Sequence, residues 1–112
     1  MCDTWHMAGP LEKDIQASIC DYLALKRIFF SRINTTPVFD TKQKTFRAMP
    51  KYSRKGMSDI LAVHAGKPYF LEVKRPNTKP SEDQKRFGAD AEQAGAIYAV
   101  VRSIDDVVAL GL

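Results

Sequence analysis

At 112 residues, 45% hydrophobic and 27% charged, the chain is long enough for one domain with a real core and too short for two. No apolar run approaches a membrane span, and the N-terminal Asp3, Trp5 and His6 lack the basic start and apolar stretch of a secretory signal. The formal charge of +4 is unevenly placed: from residue 42 to residue 86, twelve Lys or Arg stand against four Asp or Glu, a local +8 that leaves −4 elsewhere and suggests an electropositive face for nucleic acid.

Residues 1–10 read as a loose tail punctuated by Gly9-Pro10, and residues 11–112 as a single domain. Leu11, Ile15, Ile19, Tyr22 and Leu23 recur at helical spacing, which predicts an amphipathic helix of about four turns ending near Lys26-Arg27, with Glu12 bordering its inward face. Cys2 and Cys20 have no paired metal-ligand spacing and make no disulfide scaffold, so a reducing cytoplasm is the expected home and Cys20 a small buried filler. "IFFSRI" is rich in strand formers, "NTTPVFDTKQ" interrupts it, and "KTFRAMP" is a short strand or part of an irregular loop. "KYSRKGMS" is a basic loop.

"DILAVHA" and "PYFLEVK" then read as a hairpin turning at Gly66-Lys67. "RPNTKPSEDQ" leads into a helix over residues 82–94 with Ser81 as its N-cap, although a capping box calls for an acid at residue 84, where Gln84 stands. Gln84, Phe87, Ala91 and Ala94 mark the inner face of that helix. "AIYAVV" is a final strand and "SIDDVVALGL" a short closing helix capped by Ser103. The central runs are apolar at nearly every position, which predicts an α/β sheet covered on both faces.

The turn at Gly66-Lys67 pairs Ala65 with Pro68, and so sets Asp59 opposite Lys74 and Leu61 opposite Glu72. Alternation along strands then gathers Asp59, Glu72 and Lys74 on one side of the sheet and sends His64, read as structural, to the other. Charges are costly to bury without partners. Two carboxylates can hold a hard divalent cation such as Mg2+, and an adjacent lysine can orient water or offset charge on a phosphate. Taken singly, Asp59 can end a loop, Glu72 and Lys74 can form an ion pair, Glu12 can favour the helix dipole, and Gln84 can satisfy a backbone group.

"GMSDI", "YFLEVKRP" and "SEDQKRF", preceded by "LEKDIQ" in the first helix, resemble the VRR-NUC domain of the PD-(D/E)xK nuclease superfamily from about Leu11 to Val101. The resemblance implies a restriction-endonuclease-like α/β core, a mixed β-sheet flanked by helices in the order αβββαβ. Carried over residue by residue, it implies Asp59 and Glu72 as metal-binding acids and Lys74 as the catalytic lysine. Glu12 becomes a further acid of the metal site, the Val73 carbonyl an additional metal ligand, and Gln84 the glutamine that completes the motif. Gly56 would give the basic loop room near the metal or backbone, and Gly95 is followed by Ala96 where the family often has two glycines.

The implied activity is Mg2+- or Mn2+-dependent hydrolysis of DNA. At this size the chain resembles stand-alone domains encoded by phages and bacteria, which implies a homodimer acting on branched DNA such as four-way (Holliday) junctions, in the bacterial cell or, if phage-encoded, the host cytoplasm. Arg47, Lys51, Arg54 and Lys55 before the central strands, and Arg75, Lys79, Lys85 and Arg86 after them, are placed to clamp phosphates with little base specificity. Tyr52 could stack on a base or anchor its loop, and "IFF" or the last helix could form a dimer interface. The alternatives are a flap or general duplex nuclease of the same fold, and a noncatalytic DNA-binding module.

Overall fold

The computed structural model describes residues 10–33, 39–40, 45–46 and 51–112. Helix α1 (Glu12–Leu25) buries Ile15, Ile19 and Leu23 of the expected stripe, whereas Tyr22 is partly buried and Leu11 is the exposed N-cap. It stops because Arg27 turns into the left-handed region at φ 58°, after which the Arg27 and Ile28 amides donate back to the Ala24 and Leu23 carbonyls, both at 3.0 Å. That is a Schellman ending with arginine in the usual glycine place, and it sets the buried Ile28 at the door of strand β1 (Phe29–Arg32).

Strands β2 (Phe39–Asp40) and β3 (Thr45–Phe46) pair with each other in a separate two-stranded sheet, so β2 falls within the segment read as an interruption. The main sheet has the order β1-β4-β5-β6, with β4 at Ile60–His64, β5 at Lys67–Val73 and β6 at Ile97–Val101. β4 runs antiparallel to both β1 and β5, and β6 lies parallel to β5 after a crossover through helix α2 (Glu82–Gln93). Helix α3 (Ile104–Ala109) closes the chain, its first turn capped by the Ser103 hydroxyl accepting from the Asp106 amide. The expected αβββαβ sequence is therefore the backbone of the main sheet.

The two faces of that sheet are built differently. Ile60, Ala62, Tyr69, Leu71, Val73 and Val101 join Ile15, Ile19, Leu23 and Val107 in one apolar core. The next residues in each strand point the other way, where α2 lays Phe87 edge-on to Phe70 at a centroid distance of 5.1 Å. Cys20 is partly buried against the core and unpaired, with its thiol pushed up by burial; Cys2 and the rest of the predicted tail before Pro10 lie outside the described residues.

The hairpin register differs from the expected one. His64 pairs with Lys67, so the turn is Ala65-Gly66, with φ 51° and 78°. Two successive positive φ angles suit a tight two-residue hairpin, but alanine rarely adopts one, which is why glycine-lysine looked like the turn. The ladder slips by two residues and Asp59 falls opposite Glu72, not Lys74. A shift of two preserves the faces, so the three charges stay on one side. On α2 the inner stripe is Gln84, Phe87, Gly88 and Ala91, whereas Ala94 is exposed as the C-cap.

Candidate active site

Asp59 is held by sheet bonds on both sides: its amide donates to the Leu71 carbonyl at 3.1 Å, and its carbonyl accepts from Ile33 at 2.8 Å. Its side chain reaches across to β5, where Oδ2 accepts from the Val73 amide at 2.8 Å. Glu72, two positions after Phe70 on the α2 face, is only 1% exposed. Its Oε2 accepts from Gln84 Nε2 at 2.9 Å, while Oε1 is buried with no partner among the described residues. Burial first, and then the Asp59 carboxylate, pushes the Glu72 carboxyl up to about 9; Lys74 opposes this and Glu12 adds to it.

Gln84 is placed by a capping box. Its Oε1 accepts from the Ser81 amide at 2.8 Å, and its own amide donates to Ser81 Oγ at 3.2 Å. Glutamine therefore closes the box that the sequence reading reserved for an acid. With Oε1 committed to Ser81, the NH2 end must face Glu72, so the N-terminus of α2 orients the carboxylate. Ser81 was seen only as a cap; its link to the site could not be read without the fold.

Lys74 follows β5 directly, its amide bonded to the Val101 carbonyl at 3.0 Å and its side chain partly buried. Glu12 is partly buried in the first turn of α1 and acts on Glu72 through its charge. Val73 is fully buried. Asp59, Glu72, Lys74, Gln84 and Glu12 are thus neighbours or electrostatic partners at one end of the sheet.

Gly56 has a more specific role than giving room. At φ 74°, a Cβ there would lie 2.3 Å from the Asp83 carbonyl carbon and 2.5 Å from the Gln84 nitrogen. Only glycine lets the basic loop press on the first turn of α2. Arg54 fastens the same loop further along, with Nη2 donating to Asp90 Oδ2 at 2.6 Å and its guanidinium 5.8 Å from the Phe87 ring centroid.

The other basic residues are mostly exposed. Lys55 and Arg86 line an open depression of about 250 Å3 together with Ser53, Arg54 and Asp83. Lys85 pairs with Glu82 at 3.5 Å, Lys79 is exposed, and Arg75 is partly buried with its carbonyl accepting from Thr78. Lys51 sits 5.3 Å from the ring centroid of exposed Tyr52. Arg47 lies outside the described residues. Of the apolar "IFF", Ile28 is core, Phe30 packs against it and Phe29 is exposed.

Among the described residues no three His, Cys, Asp or Glu side chains form a metal-holding group. The donor set is two carboxylates, which suits a Mg2+-like ion, commonly held by one or two carboxylates with water and substrate phosphate completing the shell. The buried, unpartnered Glu72 Oε1 fits that chemistry, because such an oxygen calls for a cation or proton beside it.

No protein-family model matches the sequence, and no curated protein is detectably similar to it. Solved structures do match. One described as "VRR_NUC domain" superposes with a TM-score of 0.64 at 24% identity, covering 88% of this chain and 91% of its own. Another, described as "VRR_NUC domain protein", gives a TM-score of 0.62 at 19% identity over 91% of this chain and 85% of that one. The mixed sheet flanked by helices on both faces, with its αβββαβ order, is thus the fold of the VRR_NUC domain.

Proposed function

We propose that the chain is a metal-dependent DNA nuclease that hydrolyses phosphodiester bonds, acting preferentially on branched DNA such as the four-way junction. The observation that carries this reading is the meeting of Asp59 and buried Glu72 on one sheet face, with one Glu72 oxygen unpartnered and Lys74 following on the same strand. The resemblance of "GMSDI", "YFLEVKRP" and "SEDQKRF" and the shared fold support it.

In this reading Asp59 and Glu72 hold Mg2+ or Mn2+, with the Val73 carbonyl and, directly or through water, Glu12 as further ligands. Such an ion, when bound, polarises the phosphodiester and lowers the pKa of a water. Lys74 orients the attacking water and offsets charge gathering on the phosphate. Gln84 keeps the Glu72 carboxylate at a fixed angle, so little reorganisation is needed when substrate arrives. Water adds to phosphorus and releases a proton to solvent, the P–O bond to the leaving nucleotide breaks, and the leaving oxygen takes a proton from solvent.

Lys51, Lys55, Lys79 and Arg86, all exposed, supply phosphate contacts with strong salt dependence and little base preference. Arg47, Arg54, Arg75 and Lys85 complete the basic set proposed from the sequence, though Arg54 and Lys85 already have acidic partners. Junction cleavage needs two active sites, which a twofold homodimer would supply.

The test is a panel of labelled four-way junction, flap, single-stranded and duplex DNAs with Mg2+ or Mn2+, with Lys74→Ala protein beside the wild type. Metal-dependent paired nicks across the junction, lost by at least about a hundredfold in Lys74→Ala, are the expected result. A preference for the flap would keep the chemistry and replace the substrate. DNA binding without cleavage under either metal would return the protein to the noncatalytic module.

A further inference from the structure

Tyr98 had no part in the site as read from the sequence, yet its ring is held with unusual care. It sits on β6 beside Phe70 in the parallel β5–β6 ladder, so it shares the α2 face with Glu72. A Cβ on Gly88 would come within 2.5 Å of the ring's Cδ2 and 2.6 Å of Cε2. Glycine at 88 is therefore what lets the ring lie on the helix backbone. Phe87 closes another side at a centroid distance of 6.2 Å and an interplanar angle of 65°.

That clamp carries the phenol oxygen into the protein, where it is buried with no hydrogen-bond partner among the described residues. A buried hydroxyl left unpaired is costly. The other such side-chain atom among the described residues is Glu72 Oε1. Glu72 cannot easily turn that oxygen elsewhere, because Oε2 is tied to Gln84 and Gln84 is tied to the Ser81 cap. Burial first, and then the charges of Glu72 and Asp59, push the phenol up to about 12, so the hydroxyl lies within the field of both carboxylates.

We propose that Tyr98 is a positioning residue of the carboxylate pair, its hydroxyl hydrogen-bonded through one buried water to Glu72 Oε1. Each of these two buried polar atoms lacks a partner, and one water between them would satisfy both. Gln84 and, through the water, Tyr98 then hold the two oxygens of one carboxylate from α2 and β6, each using one lone pair, so that Oε1 keeps its other lone pair for a cation. Outer partners of this kind fix a ligand's orientation and tune its affinity for metal. The placement of Tyr98 stands on the fold alone; its effect on metal binding rests on the function proposed above.

The deciding experiment is a thermal-unfolding cycle with EDTA, using wild type, Tyr98→Phe, Glu72→Leu and the double variant. Phenylalanine keeps the ring on Gly88 and removes only the hydroxyl. The expected result is a Tm lowered by about 4 °C for Tyr98→Phe while Glu72 is present, and no lowering in the Glu72→Leu background, which has no acceptor. Glu72→Gln, whose amide oxygen must face Gln84 Nε2 and whose NH2 then meets the same water, keeps a polar partner there and should restore the sensitivity to Tyr98→Phe. Equal shifts in all backgrounds, or a higher Tm for Tyr98→Phe in the wild-type background, would overturn the proposal.

If Glu72→Leu does not fold, the wild-type Tyr98 hydroxyl proton decides by NMR: slow exchange with solvent and a cross-peak to bound water support the link, and their absence removes it. Mn2+ titration of folded wild type and Tyr98→Phe adds the functional arm, with about a tenfold loss of affinity expected. Equal affinity in the two proteins would overturn the positioning role. Wild-type protein that binds no Mn2+ would sink the metal-dependent reading, while the cycle and the NMR would still decide the Tyr98–Glu72 link.

Discussion

The two faces of the main sheet come from the same strands, one residue out of phase, and they obey different rules. Toward α1 and α3, Ile60, Ala62, Leu71 and Val73 meet Ile19, Leu23 and Val107, and all of these are buried and apolar. Toward α2, Phe70 and Phe87 make an aromatic contact, but Glu72 is buried beside them with Gln84 as its donor. The first face is satisfied by contact area alone, and any well-packed apolar set would serve. The second carries a buried acid, a costly element in an apolar setting, and its geometry is fixed from several directions. A core face accounts for the fold, and a face that buries an acid is where chemistry is to be sought.

Truncating a residue on the first face tests that division most severely. Leu71→Ala removes a fully buried side chain between β4 and β6, and a loss of about 2–5 kcal/mol in urea unfolding is expected. Metal affinity per folded molecule should stay close to wild type. A large change in metal affinity at full folding would mean that the two faces are not independent.

On the second face the sign reverses. The Glu72 carboxyl is raised in the folded protein to about 9 from an ordinary value of 4.5. Its protonation therefore favours the folded state: that contribution is complete below the ordinary value and is lost as pH climbs towards about 9. Each pH unit in that window removes up to about 1.4 kcal/mol from the metal-free protein. Glu72→Gln, neutral at every pH, should be more stable than wild type with EDTA at pH 8, should flatten the slope between pH 5 and 9, and should abolish cleavage. Urea titrations at three pH values measure this, and a parallel slope in both proteins would show that Glu72 is not the group responsible.

The first face was almost entirely legible in the sequence, because period and burial coincide: Ile15, Ile19 and Leu23 repeat at helical spacing, and the β4 and β5 runs are apolar throughout. The carboxylate face was legible in its members but not in its partners. Asp59, Glu72 and Lys74 could be placed on one side despite a misplaced turn, because a two-residue slip keeps strand parity. The turn itself was missed because Ala65 takes a positive φ that favours glycine. Gly56, Gly88 and Tyr98 were not legible as a group, since each owes its role to a close approach between elements distant in sequence: the loop on α2, and β6 on α2. Spacing along the chain carries no trace of such contacts.

The outer flank of α2 should show the smallest effect, and it separates charge that holds the fold from charge that the proposed function assigns to DNA. Arg54 and Asp90 are both about half exposed, at 49%, so their 2.6 Å pair contributes below about 1 kcal/mol to stability. Its guanidinium is already neutralised by Asp90 and rests near Phe87, so Arg54→Ala should displace few counterions from DNA. Lys55→Ala, which removes an exposed cation from the neighbouring depression, should instead lower the slope of log K against log salt by about 0.9. Asp90→Ala would release Arg54 toward phosphate and steepen that slope. Binding measured between 50 and 200 mM salt in EDTA reads all three variants. Slopes lowered equally in Arg54→Ala and Lys55→Ala would place Arg54 among the DNA contacts and leave Asp90 as a mere resting place.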